Sequence, residues 1–319
     1  MTVLLIVSPT RADFEPADRP VSTYSIVARD AETGQLGVAV QSHWFSVGSV
    51  VTWAQPGIGA VATQSFVDPA YGPLGLELMR AGKSADEALT ALLAADEHKN
   101  VRQVGMVDAN GVVANHTGAD AIVEHCHDAG EQFTVQANLM WKSTVCDAMK
   151  KAYLSAEGDL AERLMLALEA AEGEGGDIRG KQSAAILVVS ADRSQPAWGG
   201  RVIDLRVEDH EDPLTELRRL LVLARGYKLM TDGDDFVTAG DIEAAKRAYA
   251  DAEQLMPENH EAIFWHAVTL ADVGQLDEAL PMFGQAFEMW PLWKELVPRL
   301  PGSGLLPDDP ELIDRILAQ

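Results

Sequence analysis

The chain has 319 residues, 47% of them hydrophobic, so it can bury the cores of two ordinary domains and is not a disordered protein. Its formal net charge of −24 gives a surface that repels nucleic-acid phosphates and anionic membranes, which argues against partners of either kind. Cys126 and Cys146 are too few for a disulfide framework and form no CxxC motif, so they leave the cellular compartment open.

Residues 1–22 are predicted to be an N-terminal extension. Residues 3–7 are apolar, but this run is short and no Lys or Arg precedes it, unlike the start of a secretory signal. A charged segment with prolines follows at residues 11–20. We therefore expect a cytoplasmic protein; the alternative is a periplasmic one, in which this segment is a cleaved signal.

Ordered structure is predicted from Thr23 onward. Apolar and polar residues alternate over 23–29, turn residues follow at 30–34, and a second strand covers 36–40, so residues 23–42 form a hairpin. Further strands are predicted at 50–53, 57–63, 101–107, 112–116, 133–139, 183–189 and 202–207, and helices at 73–80, 84–93, 143–154 and 160–171. Hairpins outnumber βαβ crossovers, which favours an α+β domain, residues 23–210, built as a four-layer αββα sandwich rather than a doubly wound sheet.

A repeat of 34 residues replaces the strand pattern after residue 210. Gly240, Ala245, Tyr249, Ala252 and Pro257 recur as Gly274, Ala279, Phe283, Ala286 and Pro291. Small residues let two helices approach, aromatic residues fill the groove, and proline ends the second helix. The pattern resembles the tetratricopeptide repeat and predicts an all-α domain over 211–319, capped by residues 292–319. Its tryptophans, Trp265, Trp290 and Trp293, either belong to the core or anchor a protein partner.

The first domain resembles the DUF1028 family through an ordered series of short motifs. They are TYSIVARD at 23–30, GVAVQS at 37–42, VG at 47–48, GIGAVATQ at 57–64, YG at 71–72, QVG at 103–105, Asn138, and GGDIRGKQSAA at 175–185. The family is grouped by fold with the N-terminal-nucleophile (Ntn) hydrolases, and its own reaction is uncharacterised. The resemblance therefore implies the Ntn fold and, more loosely, hydrolysis of an amide bond. It also implies a homodimer by analogy.

Thr23 is the candidate nucleophile of such an enzyme. A hydroxyl at the first residue of a strand can transfer its proton to its own α-amine, whose pKa is about 8. In this sequence the Thr23 nitrogen is bonded to Ser22, so the chemistry requires processing before Thr23, or a start at Val21 that makes Ser22 terminal. Ser25 lies on the same face of the strand and is a second candidate. Alternatively, Thr23 and Ser25 are ordinary strand residues.

Other polar residues complete the candidate site. Asn138 ends a strand and is expected to donate to an oxyanion; alternatively it is a turn residue. Asp177 is expected to orient the nucleophile or amine, while Arg179 and Ser183 bind substrate, with Arg179 favouring a carboxylate; a loop-bracing ion pair is the alternative.

Two further residues are assigned to the same cleft. His43 is expected to lower the proton affinity of the α-amine in a pH-dependent way, or else to be an exposed strand-end residue. Gln64, with Ser65 beside it, is expected to line the cleft.

No cofactor or metal is expected. His125 and His127 share a face of an extended segment, but no further ligands are evident, so a surface loop is favoured over a zinc site. Two functions remain open: an Ntn-type hydrolase acting on an amide bond of a small molecule or peptide, or a non-catalytic scaffold or ligand-binding protein whose helical tail mediates protein interactions.

Overall fold

The computed structural model describes residues 21–196 and 198–319, and the chain divides into two compact units between Arg218 and Arg219. The strands of the first unit are β1 (Thr23–Arg29), β2 (Leu36–Ser42), β3 (Thr52–Gln55), β4 (Gly59–Ser65), β5 (Arg102–Asp108), β6 (Val113–Thr117), β7 (Cys126–Gly130), β8 (Phe133–Asn138), β9 (Ser183–Val189) and β10 (Arg201–Val207). Its helices are α1 (Gly48–Val51), α2 (Tyr71–Arg80), α3 (Ala85–Ala95), α4 (Val145–Ser155) and α5 (Leu160–Gly173), with a 3-10 turn at Lys99–Val101.

The strands form two antiparallel sheets. One has six strands in the order β10-β9-β2-β1-β8-β7, and the other has four in the order β3-β4-β5-β6. The sheets face each other, with α4 and α5 packed on the outer side of the six-stranded sheet and α2 and α3 on that of the four-stranded sheet. The first unit is therefore a mixed α/β domain with antiparallel sheets, as predicted.

The β1–β2 hairpin positions the start of β1 in the middle of the six-stranded sheet. Asp30 closes its turn: one carboxylate oxygen accepts hydrogen bonds from Glu32 N at 3.0 Å and from Thr33 N at 2.7 Å. The other oxygen pairs with Arg163 of α5 at 3.0 Å. A Cβ at Gly37 of β2 would lie only 2.7 Å from the side chain of Leu164, so a glycine there lets α5 approach the sheet.

The interior between the sheets is apolar at one end. Val27, Val38 and Val40 of the six-stranded sheet are buried in one cluster with Ala60, Ala62 and Val107 of the four-stranded sheet. Toward the beginning of β1 the buried side chains become polar, among them Thr23, Ser25, Ser42, Gln64, Gln103, Gln136 and Asn138. Polar side chains are uncommon inside a protein core. A cluster of them at this end of the interior therefore marks it as the candidate functional site.

The second unit is helical. Its helices are α7 (Ile242–Leu255), α8 (His260–Asp272), α9 (Leu276–Met289), α10 (Trp293–Leu296) and α11 (Pro310–Leu317), with 3-10 turns at Val297–Arg299 and Pro301–Ser303; α6 (Pro213–Ala239) contains the division between the units. The repeated alanines and aromatics at 245, 249, 252, 279, 283 and 286 are all buried. Gly240 and Gly274 have φ of 79° and 83° and follow the ends of helices, where the left-handed conformation favours glycine.

The three tryptophans of this unit occupy different environments. Trp293 stacks on Phe264 with ring centroids 4.2 Å apart, and Trp265 packs against the same core. Trp290 is 47% exposed and stacks on His260. Two of the three thus contribute to the core of the unit.

Two segments differ from the sequence-based expectation. Residues 48–51 form α1 where a strand was expected at 50–53, because Ser183 Oγ holds Val47 N at 3.1 Å and Thr52 Oγ1 donates back to Gly48 O at 2.8 Å. Residues 126–130 form the edge strand β7 where a surface loop was expected, and a disulfide joins Cys126 to Cys146 of α4, with Cα atoms 6.1 Å apart. Of the described residues, no helix is long and apolar enough to cross a bilayer.

Candidate functional site

Thr23 lies between Ser42 and Asn138 at the beginning of β1. The antiparallel registers pair Thr23 with Ser42 on β2 and with Asn138 on β8. All three side chains are completely buried. Thr23 Oγ1 donates a hydrogen bond to Val21 O at 2.7 Å and lies 3.3 Å from Ser42 Oγ.

Hydrogen bonds from other segments of the chain hold the two residues before Thr23. Val21 N donates to Ser65 O at 2.6 Å, and Ser65 N donates to Val21 O at 3.0 Å. Ser65 has a φ of 70°, which is uncommon for a residue with a side chain and turns its backbone toward this segment at the end of β4. Val21 and Ser22 are therefore fixed inside the site.

Two side-chain donors converge on the carbonyl oxygen of Ser22. Arg179 Nη2 donates to it at 3.0 Å, and Ser42 Oγ donates to it from the other strand. This carbonyl belongs to the peptide bond that precedes Thr23. A cationic donor and a hydroxyl donor on one carbonyl oxygen are the arrangement that stabilises negative charge developing on that oxygen.

Arg179 is positioned by Asp177, whose carboxylate is buried. Arg179 Nη2 and Nε donate to the two carboxylate oxygens at 2.7 and 3.1 Å, a bidentate pair. The carboxylate also accepts from the backbone N–H of Arg179 at 2.9 Å and of His43 at 3.1 Å. Gly175 and Gly176, with φ of 106° and 56°, provide the turn that brings Asp177 beside β2. The bidentate pair holds the Arg179 guanidinium in the orientation in which Nη2 also donates to Ser22 O.

The end of α5 and the loop that follows it are anchored on the opposite face of β1. Tyr24 hydroxyl donates to Glu172 at 2.7 Å, and burial together with the charge of Glu172 raises the pKa of Tyr24, which keeps it a neutral donor. Lys181 lies 3.6 Å from Glu172 and 3.3 Å from Asp212. Burial disfavours its charge, but these two carboxylates outweigh that effect and raise the pKa of Lys181.

Ser25 belongs to a network of buried amides rather than to the surroundings of Ser22. Its hydroxyl donates to Gln64 Oε1 at 2.6 Å and accepts from Gln136 Nε2 at 2.6 Å. Gln64 Nε2 in turn donates to Gln103 Oε1 at 2.7 Å, and Asn138 Nδ2 donates to the same oxygen at 3.0 Å. The network joins the two sheets directly beneath Thr23 and holds Gln64 and Asn138 in place.

His43 and Ser183 support the site from its edge. The ring of exposed His43 pairs through Nδ1 with Lys181 O at 3.3 Å, while its backbone N–H donates to the Asp177 carboxylate. Ser183 Oγ donates to Trp44 O and accepts from Val47 N, which fixes the segment after Ser42.

Sequence reasoning did not select Ser42, Gln103 or Gln136. Ser42 becomes significant only through its register opposite Thr23. Gln103 and Gln136 could have been selected from the sequence, since a polar residue at a buried, inward-facing position of a strand is unusual. On β5, a Cβ at Gly105 would collide with the side chain of Gln136, so the glycine of the QVG motif makes room for the network.

His125 and His127 do not assemble a metal site with other residues of the structure. His125 Nδ1 pairs with Ile122 O at 3.2 Å, and His127 Nδ1 pairs with Thr117 Oγ1 at 2.8 Å. No group of three or more His, Cys, Asp or Glu side chains suited to a metal ion occurs within residues 21–196 and 198–319.

Comparisons with known proteins identify relatives of the first unit. The model of a family described as "Family of unknown function (DUF1028)" matches residues 23–217. A crystal structure of a protein from Silicibacter pomeroyi, described with the same family, is similar with a TM-score of 0.56 and 28% sequence identity, over 63% of this chain and 88% of that one. No curated protein matches the sequence.

Proposed function

The chain belongs to the DUF1028 family, and we propose that its first unit is a hydrolase of the Ntn type whose nucleophile is Thr23. In this proposal the Ser22–Thr23 peptide bond is cut first, and Thr23 then attacks amide bonds of a small molecule or peptide. The proposal includes the finer fold assignment, in which the two facing sheets and their outer helices are the αββα sandwich of Ntn hydrolases. It also interprets the 34-residue period of the second unit as tetratricopeptide-like, with a role in protein interactions.

The observation that carries the proposal is the pair of donors on the Ser22 carbonyl. Arg179 Nη2, at 3.0 Å, and Ser42 Oγ both donate to this oxygen, and the next residue carries the candidate nucleophile. When Thr23 Oγ1 attacks the Ser22 carbonyl carbon, negative charge develops on the oxygen that these donors hold. The two donors thus favour cleavage at this bond.

The cleavage reaction is balanced by the chain's own groups and one water molecule. The Thr23 Oγ1–carbon bond forms, the carbon–nitrogen bond breaks, and the hydroxyl proton passes to the Thr23 nitrogen, which becomes the α-amine. Water then hydrolyses the ester, releasing a carboxylic acid and restoring the hydroxyl. The freed amine, with a pKa of about 8, serves as the general base in later turnovers, so activity is expected to rise with pH toward that value.

The test is the mass and N-terminal sequence of the purified full chain. We expect a mature chain that begins at Thr23. The variant Thr23→Ala should remain uncut, Thr23→Ser should be cut, and Ser25→Ala should be cut because Ser25 contacts the amide network instead. Cleavage of Thr23→Ala at the wild-type rate would exclude Thr23.

A second function is favoured by one observation: Thr23 is completely buried and its nitrogen lies in a peptide bond. In that case the unit is a non-catalytic scaffold or ligand-binding protein. A full chain that keeps residues 1–22 and forms no adduct with amide-directed probes would support this function and contradict the first.

A further inference from the structure

Val21 and Ser22 are bound in the site as a peptide ligand would be. Val21 makes a two-way backbone pair with Ser65, at 2.6 and 3.0 Å, in the manner of an added β-strand. The carbonyl of Ser22 is held by Arg179 and Ser42. Every one of these contacts to the two residues is made by backbone atoms of the dipeptide, so another peptide in its place would make them equally well.

The cleavage intermediate explains why this position matters for substrates. After attack by Thr23 on its own chain, Val21 and Ser22 are attached to Thr23 Oγ1 as an ester. A substrate attacked by Thr23 also becomes an ester on that oxygen, with its former amide carbonyl carbon in the position of the Ser22 carbon. The same donors, Arg179 and Ser42, then face both esters. The segment that ends at Ser22 therefore forms the first acyl-enzyme, and the position of Val21 and Ser22 marks the acyl subsite.

The side chains of the dipeptide define what this subsite accepts. Val21 is completely buried in the apolar cluster between the sheets, with valines such as Val47, Val51 and Val67. A short aliphatic group fits there, and a charged group would lose its hydration without a partner. Ser22 is also completely buried, and its hydroxyl has no hydrogen-bond partner among the described residues. The site thus limits the size of this side chain and does not require its hydroxyl.

We propose that the space filled by Val21 and Ser22 is the acyl subsite of the mature enzyme, and that its substrates are peptides cut after a short aliphatic residue followed by a small one. This inference rests on the proposed function. The reaction is the one given above: the Thr23 Oγ1–carbon bond forms as the amide bond breaks, the proton goes to the leaving amine through the α-amine, and water hydrolyses the ester.

The test uses the full chain after its cleavage before Thr23, together with a matched series of chromogenic peptides. The parent is acetyl-Arg-Pro-Val-Ser-p-nitroanilide, which repeats the sequence before Thr23. Replacing Val by Ala should lower kcat/KM at least ~10-fold, and replacing Val by Asp, or Ser by Trp, should lower it at least ~10²-fold. Methylating the valine nitrogen removes the donor to Ser65 O and should also lower kcat/KM at least ~10²-fold. The peptide acid acetyl-Arg-Pro-Val-Ser should inhibit competitively, and its Asp-for-Val counterpart should not.

The outcomes separate this inference from the proposed function. A processed chain that cleaves all peptides of the series equally, or that cleaves only non-peptide amides, or none of the compounds, overturns the subsite while leaving self-cleavage at Thr23 standing. A chain that is neither cut before Thr23 nor acylated by any peptide overturns the proposed function and the subsite with it. Selective turnover of the parent, lost on methylation, supports both.

Discussion

Arg179 offers the sharpest test of the proposed cleavage of the Ser22–Thr23 bond. Its Nη2 donates to Ser22 O at 3.0 Å, and Ser42 Oγ is the second donor. Arg179→Ala removes one of the two donors, and losing one such donor typically slows a reaction by about 10²–10³-fold. We expect cleavage of the full chain to slow by about that factor, whereas Arg179→Lys should retain part of the rate because a cation remains.

The experiment must separate this effect from a loss of stability. In Arg179→Ala the Asp177 carboxylate, whose side chain is 0% exposed, loses its ion-pair partner, which costs about 3–5 kcal/mol. The double variant Arg179→Ala with Asp177→Asn removes the unpaired charge and should recover stability but not the cleavage rate. Cell-free translation followed by intact-mass measurement at successive times gives the rate, and thermal unfolding gives stability. Cleavage of the stable double variant at the wild-type rate would refute the role of Arg179.

Three further predictions concern stability. Burial works against ionisation of Asp30, but the hydrogen bonds of its turn and the charge of Arg163 outweigh it and lower its pKa, so this carboxylate stabilises the fold above about pH 4 and the contribution is lost as pH falls through the lowered pKa. Asp30→Asn should unfold about 1–3 kcal/mol more easily at pH 7 and show a shallower loss of stability below pH 4 in urea titrations; an unchanged slope would count against this account. Arg102 is 1% exposed and pairs with Asp96 at 2.8 Å, so Arg102→Met should cost about 3–5 kcal/mol by urea unfolding, and adding Asp96→Asn should recover part of it; strictly additive losses would contradict the pairing. Phe283→Ala in the second unit removes a completely buried ring and should destabilise that unit by about 3–5 kcal/mol, so an unchanged calorimetric transition would contradict its core position.

The elements that sequence predicted well have their signal within a few residues. The β1–β2 hairpin alternates cleanly and has an Asp-containing turn, and α7 and α9 each carry the small and aromatic positions of the 34-residue repeat. Such local agreement between pattern and structure lets the elements be predicted without knowledge of their partners.

The elements that sequence missed depend on distant partners. The edge strand β7, CHDAG, has no alternating pattern and is formed by pairing with β8 and by the disulfide from Cys126 to α4. The helical turn α1 contains two valines, which favour strands, and it is held by the hydroxyl of Ser183, far along the chain. In both segments tertiary contacts outweigh local preference.

The candidate site shows the same division. Thr23, Asp177 and Arg179 could be selected because they lie in motifs with unusual glycine or strand-start context. The role of Ser42 could not be predicted, since it follows from the register with Thr23, and the contact of Arg179 with Ser22 spans 157 residues of sequence. Sequence therefore suggested candidate residues, and the sheet register determined which of them lie together.

The amide network beneath Thr23 has a consequence for kinetic experiments. Gln64, Gln103, Gln136 and Asn138 join the two sheets through carboxamides, which neither gain nor lose protons over the range in which proteins stay folded. The platform under Thr23, the proposed nucleophile, consequently keeps one hydrogen-bonding pattern from mildly acidic to alkaline buffer. A titration curve of catalytic rate can then be assigned to the reacting groups themselves, without a contribution from a scaffold that rearranges as it ionises.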